Sequence, residues 1–155
     1  MTPGINIAKK HKIAYRLHAY CHDPSNNTYG PEAAEKLGIP MDRVFKTLVV
    51  RLDHKELAVG VIPVSSKLSM KHFAKAAGSK KAVMAEAAEV QRSTGYVLGG
   101  VSPLGQKKHL KTIIDLSART CDTVFVSAGR RGLEIELSPE DLRNIVNGTF
   151  AEISQ

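Results

Sequence analysis

The chain has 155 residues, of which 43% are hydrophobic and 24% charged, with a mean hydropathy of -0.16. That is enough to bury roughly 70% of the unfolded surface around one core, and no run approaches the ~18 apolar residues of a membrane-spanning helix. A net charge of +7 and an isoelectric point of about 9.5 favour a polyanionic partner such as RNA, DNA, a nucleotide or an anionic membrane face. Plain solubility accounts for such charge equally well. Its placement says more, because Lys107, Lys108, Lys111, Arg130 and Arg131 flank glycine-containing turns rather than filling a low-complexity tail. One domain spanning residues 1–155 is expected.

Thr2 and Pro3 open a helix, as N-cap and first helical residue, that runs to about His11. The alternating stretch Ala14–Tyr20 reads as a strand, and HDPSNNTYG after Cys21 is turn chemistry throughout. Pro31 opens a short helix that Gly38 ends. Val44–Leu52 and Leu57–Val64 form two strands joined by a turn at Asp53–Glu56. Ser69 caps a helix through Ala77, closed by Gly78, and Ala85–Arg92 is helical. Strands then follow at Lys111–Leu116, Thr123–Ser127 and Leu133–Leu137, with a hairpin at Gly129–Gly132. A helix over Pro139–Val146, capped by Ser138, and a strand over Thr149–Ile153 complete the chain. Two hairpins argue against a purely parallel sheet, so the expected fold is mixed α/β (α+β), with a curved, partly barrel-like sheet flanked by short helices.

Several familiar chemistries fail on spacing. Gly100 and Gly105 have the glycine separation of a phosphate-binding loop, but Gln106 and Lys107 follow where Lys and Ser/Thr are required. Ser102, in GVSPLG, is one residue out of step with a nucleophile elbow; a hydroxyl satisfying its own turn is the plainer reading. The six histidines are scattered without metal-ligand spacing, so no metal and no cofactor is expected. Cys21 and Cys121 lie far apart. With an N-terminus, MTPGINIAKKHK, that lacks the apolar core of a secretory signal, they read as reduced thiols in a cytoplasmic protein.

Two features stand out. The stretch Ser93–Gly105, STGYVLGGVSPLG, holds four of the twelve glycines, a density that lets a backbone bend sharply and approach a neighbour closely. Lys46 interrupts the apolar strand VFKTLVV. It is either a partly buried cation in need of an anionic partner or an edge-strand lysine that blocks aggregation. Tyr20 and Tyr29 bracket the polar loop before the second helix, each with a hydroxyl to offer.

The segments TPGINIAKKHKIAYRLHAY, VFKTLVV, STGYVLGGVSPLGQKK and VSAGRRGLEIEL stand in the order found in YbaK-type proteins, and the chain resembles that family over essentially its whole length. These are free-standing aminoacyl-tRNA deacylases, similar to the editing domain inserted in bacterial prolyl-tRNA synthetases. The closest likeness is to the Cys-tRNA(Pro) deacylase subgroup. The resemblance implies the YbaK fold and makes Lys46 the required lysine. It makes Gly99, Gly100, Val101, Ser102 and Pro103 the loop that holds the terminal adenosine and the ester, with Gly99 and Gly100 serving the chemistry. It places Tyr20, Tyr29, Phe45 and Thr47 around the aminoacyl pocket, with Gly129, Arg130 and Glu136 near it. One departure is His109, which follows the lysine pair where close members often carry arginine.

By the same resemblance the substrate is the aminoacyl end of tRNA, chiefly Cys-tRNA(Pro), with prolyl-tRNA synthetase as a further partner and neither DNA nor a membrane involved. The thiol of the bound cysteine would attack its own ester carbonyl, which explains why no protein nucleophile is evident. Two alternatives stand beside this: an Ala-tRNA(Pro) or broader deacylase, and a non-catalytic module that binds the tRNA acceptor end.

Overall fold

The structure is a computed structural model that describes all 155 residues. Eight strands form two sheets. In chain order the strands are β1 (Tyr15–Ala19), β2 (Phe45–Leu52), β3 (Glu56–Pro63), β4 (Ala82–Met84), β5 (Lys111–Asp115), β6 (Val124–Arg130), β7 (Leu133–Leu137) and β8 (Thr149–Ala151). One sheet has the order β1-β7-β6 and the other β4-β2-β3-β5-β8. The smaller sheet is antiparallel, whereas β3, β5 and β8 run parallel to one another. A bridge from Val44 to Phe125 joins the two sheets. The five α-helices are α1 (Pro3–Lys10), α2 (Tyr29–Leu37), α3 (Met70–Ala76), α4 (Ala87–Thr94) and α5 (Pro139–Val146). No helix is long and apolar enough to cross a membrane.

Alternation along the strands builds the layers. Val49 of β2, Val59 and Val61 of β3, Val126 of β6 and Ile135 of β7 point inward to one core of twenty buried residues between the sheets. The other face of the larger sheet packs Val50, Ala58, Ile62 and Ile113 against Phe73 and Ala74 of α3. A third cluster joins Ala33 and Ala34 of α2 to Val44, Val64 and Phe125. Helix α2 therefore covers the outer face of the smaller sheet, and the gap at its N-terminal end becomes the functional cleft.

The expected mixed fold is observed, with differences of detail that have local causes. Helix α2 begins at Tyr29 rather than Pro31, because the first-turn N–H groups have no helical partner and proline's missing donor costs nothing there. Strand β4 and the 3-10 turns at Met41–Arg43 and Leu116–Thr120 were not expected; they are too short to carry a periodic signal. The Asp53–Glu56 turn is present, with positive φ at Asp53 and His54, the type I′ geometry that matches strand twist. Helix α4 starts two residues later than expected, at Ala87.

The loop leading into α2 is held by a buried carboxylate. Glu32 accepts from His22 Nδ1 at 2.6 Å, the Asp23 amide at 2.9 Å and Lys36 Nζ at 3.0 Å. Burial alone would raise this carboxyl; the Asp23 amide, His22 and Lys36 outweigh it and hold it at about 2. Its contribution to stability is therefore present above the ordinary glutamate range and lost as pH falls towards 2. Glu32→Gln should cost roughly 1–3 kcal/mol in urea unfolding at pH 7, with the deficit shrinking in acid. Equal stability at pH 7 would show that the loop is held by other contacts.

Candidate active site

A cleft of about 470 Å³ opens where α2, β2, the smaller sheet and the glycine-rich segment converge. Strand β2 supplies Phe45, Lys46 and Thr47; the loop and first turn of α2 supply Tyr20 and Tyr29; the glycine segment supplies Leu98, Gly99 and Val101; β6 and β7 supply Ser127 and Glu134. The size is that of a small-molecule site, and most of its accessible wall is apolar, although half of the lining residues carry a polar side-chain group.

Lys46 is half-buried in this cleft, and no carboxylate lies within ion-pair distance of its Nζ. Burial and the nearby positive charge of Lys67 push its pKa below the ordinary lysine value. Glu134 lines the same cleft at 6% exposure. Its carboxyl is pushed up to about 8, and burial is the whole cause. It is thus largely protonated at neutral pH. The cation and the carboxyl do not pair. Tyr20 stands beside Glu134; burial first, then the charges of Glu134 and Glu32, raise its phenol to about 12, so it remains a hydrogen-bond donor. Thr47 Oγ1 is buried with no hydrogen-bond partner.

The glycine segment makes a turn, closed by Gly100 N–H donating to Val97 C=O at 2.9 Å. Gly99 is the third residue of that turn with φ +85°, the conformation a type II turn demands and glycine supplies. A Cβ at Gly99 would fall 2.7 Å from Arg131 Nε and 2.8 Å from the Tyr29 ring, and one at Gly100 would fall 2.9 Å from Arg130 Cα. The close approach signalled by these two glycines is therefore made to the protein itself. Arg131 fastens the turn: its Nε and Nη2 donate to Leu98 C=O at 3.0 and 2.7 Å, while its guanidinium lies 4.5 Å above the Tyr29 ring. The amide of Gly100 is occupied by the turn, whereas those of Gly99 and Val101 make no hydrogen bond within the chain.

Of the residues singled out from sequence, Lys46, Gly99, Val101, Tyr20, Tyr29, Phe45 and Thr47 come together here. The others do not line the cleft. Gly100 lies behind it, on the backbone of Arg130. Ser102 is fully buried and its Oγ accepts from the Leu104 amide, the bland reading of that hydroxyl. Pro103 borders a separate small cavity beside Ile7 and His109. Gly129 packs on Tyr96 and Thr2, and Arg130 is exposed on the β6–β7 hairpin. Glu136 points along the same face of β7 as Glu134 but is tied to His18 Nε2 at 2.8 Å, Thr123 Oγ1 at 2.6 Å and Arg43. Of the two glutamates of LEIEL, Glu134 rather than Glu136 lines the cleft. The alternation shows that Glu134 and Glu136 share a face, but not which one the fold buries in the cleft wall.

The cleft thus brings together a half-buried cation without an ion-pair partner, a desolvated carboxyl and a glycine turn, with the amides of Gly99 and Val101 unpaired within the chain, the makings of a small-molecule site. Residues 24–145 match the model of the aminoacyl-tRNA editing domain. The chain is 37% identical, over 99% of its length and 93% of the other's, to a protein of Enterococcus faecalis provisionally named Cys-tRNA(Pro)/Cys-tRNA(Cys) deacylase EbsC. It is 32% identical to the uncharacterised protein YwhH of Bacillus subtilis, over 72% of this chain and 70% of that one. The crystal structure of a hypothetical protein, APE2540, superposes with a TM-score of 0.88 at 26% identity, covering 99% of this chain and all of that one. A structure described as a candidate trans-editing enzyme for prolyl-tRNA synthetase superposes with a TM-score of 0.83 at 18% identity, over 100% and 99% of the two chains, and shares the fold. The chain belongs to the aminoacyl-tRNA editing domain family.

Glu134 gives a direct test of the cleft's electrostatics. In the unfolded chain the carboxyl ionises near 4.5, in the folded chain near 8, so its effect on stability worsens as pH rises between those values. Glu134→Gln, which carries no titrating proton, should match wild type near pH 4 and exceed it by roughly 3 kcal/mol at pH 7, rising to about 4–5 kcal/mol by pH 8.5. Urea unfolding across pH 4–8.5 measures this; a difference independent of pH would remove Glu134 from the desolvated floor.

Proposed function

We propose that this protein is a free-standing deacylase that clears cysteine mischarged onto tRNA(Pro), acting on the aminoacyl ester at the 3′ end. The observation that supports this reading is that Lys46 and Glu134 line one cleft without an ion pair between them. An aminoacyl ester brings an α-amino group, a carbonyl and a ribose joined to phosphate. Glu134 suits the amino group: a substrate ammonium replaces the proton that burial otherwise holds on the carboxylate. Lys46 suits the ester and the ribose at the anionic end.

The chemistry then needs little from the protein. The substrate thiol attacks its own carbonyl carbon; a C–S bond forms, the C–O bond to the ribose breaks, and the thiol proton passes to the departing ribose oxygen. The resulting thiolactone opens with water to release cysteine. Holding the reacting groups in one conformer contributes up to roughly 7–11 kcal/mol. The free amides of Gly99 and Val101 are the donors suited to the developing oxyanion, and the turn that carries them does not reorganise during the step. A single donor of this kind is worth about 3–4 kcal/mol. This assigns the second donor to Val101 in place of Gly100. Prolyl-tRNA synthetase, whose error the reaction corrects, is the fitting partner in the cytoplasm.

The test is release of labelled cysteine from Cys-tRNA(Pro) by wild type and Lys46→Ala. Release should fall at least about a hundredfold in the variant while tRNA affinity changes less than twofold. A loss of affinity with a salt slope lowered by about one would instead make Lys46 a phosphate contact. Substrate chemistry supplies a second test. Ser-tRNA(Pro) and Ala-tRNA(Pro) present groups of similar size, and an apolar pocket separates such groups by only ~1–3 kcal/mol. Turnover of both should nevertheless be nearly absent; equal turnover of all three substrates rules out thiol assistance.

A further inference from the structure

The rim of the cleft carries a surface that the ester chemistry does not use. Val97 and Leu98 are 50% and 49% exposed, and they are the only adjacent pair among the exposed large hydrophobic residues. They lie on the turn that Arg131 fastens, so they are presented rigidly rather than on a loose loop. Arg130 and Arg131 stand beside them, both exposed. Arg130 makes no side-chain hydrogen bond or ion pair, and Arg131 commits only its Nε and Nη2 edge.

We propose that Val97 and Leu98 form a shelf for the unpaired nucleotides that precede the terminal adenosine of tRNA, with Arg130 and the free edge of Arg131 on their phosphates. The proposal rests on the deacylase reading, and chain continuity leads to it. If the aminoacyl group fills the cleft, the next nucleotides must cross the rim. The rim offers aliphatic surface on which base faces can pack and unpaired cations for phosphates, an aliphatic counterpart of the cationic grooves with aromatic platforms that hold single strands without sequence readout. Inside a duplex the base faces are stacked on one another and only the terminal pair has a free face, so the shelf favours unpaired nucleotides. The occupant is therefore the single-stranded end, and the paired acceptor stem lies farther out.

The experiment uses two labelled, uncharged RNA hairpins, one ending in the unpaired 3′ nucleotides of a tRNA and one blunt, with binding followed by fluorescence anisotropy across a salt series. Wild type should bind the overhang hairpin about tenfold tighter than the blunt one. The double variant Val97→Ser, Leu98→Ser should lose that preference while keeping its affinity for the blunt hairpin. Arg130→Ala should lower the salt slope for the overhang hairpin by about one. All three positions are on the surface, so thermal melts should stay near wild type. An overhang preference retained in the double variant, or absent from wild type, overturns the shelf. Deacylation of Cys-tRNA(Pro) by wild type, measured in parallel, reports on the underlying reading: turnover without an overhang preference sinks the shelf alone, whereas no turnover of any aminoacyl-tRNA sinks both.

Discussion

Keeping Glu134 out of water and away from every cation is the constraint on which the site depends. The residue occupies the middle of β7, paired to His18 of β1 on one side and Ser127 of β6 on the other. Its neighbours in sequence, Leu133 and Ile135, are locked into the core between the sheets. The backbone therefore cannot rotate the carboxyl towards solvent, and the nearest lysine in the cleft is left unpaired. Such an arrangement is unfavourable in the empty protein, and the surrounding sheets must over-determine it. A ligand that brings its own cation to Glu134 and its own electron-rich ester to Lys46 relieves both desolvated groups at once. Binding then carries a differential that a pre-paired Lys–Glu salt bridge would have to give up first.

The glycine segment serves that arrangement indirectly. Dense glycine suggests a backbone wrapped around a ligand, as in phosphate loops. Here Gly99 and Gly100 instead let a turn close down on Tyr29, Arg131 and the β6–β7 hairpin. Three walls of the cleft become one rigid unit: α2 through Tyr29, the turn through Leu98, and the smaller sheet through Arg131. Further along, Gly105 plays the same part against α1, where a Cβ would meet the Pro3 carbonyl at 2.6 Å. Rigidity of this kind fixes the backbone that carries the two unpaired amides, and in the proposed reaction direction is what an oxyanion donor would contribute.

Much of this was legible in the sequence, and the failures share a cause. Helix α5 and strand β7 were placed to the residue, because Ser138-Pro139 and the LEIEL alternation are strong local signals. Lys46 stood out because a charge inside VFKTLVV breaks a local pattern. Glu134 did not stand out, since glutamates at alternate positions are ordinary on a half-exposed strand. Its burial is imposed by elements remote in sequence, chiefly α2 across the outer face of the smaller sheet. The same holds for Gly100: its sequence neighbourhood marks a tight turn, but only the fold shows that the turn consumes its amide and leaves those on either side free. Local patterns report what a residue is able to do, and tertiary coverage decides which of several equivalent residues does it.

That division bears on how specificity is divided in this molecule. The cleft distinguishes a small amino acid by shape only weakly, because removing or exchanging one atom in an apolar wall changes binding by little. In the proposed reaction the strong filters would lie elsewhere: a buried carboxyl that takes a free α-amino group, a cation that takes an anionic carrier, and a step that needs a nucleophile from the substrate. Each is an all-or-none chemical requirement rather than a fit. A site built this way can afford a roomy pocket without a resident nucleophile, since a correctly charged amino acid lacking a well-placed thiol is held and released intact. The proposed reaction calls on no protein nucleophile: Ser127, the serine that lines the cleft, has its Oγ engaged by the Gly129 amide, and a general nucleophile there would cleave whatever ester the pocket admitted.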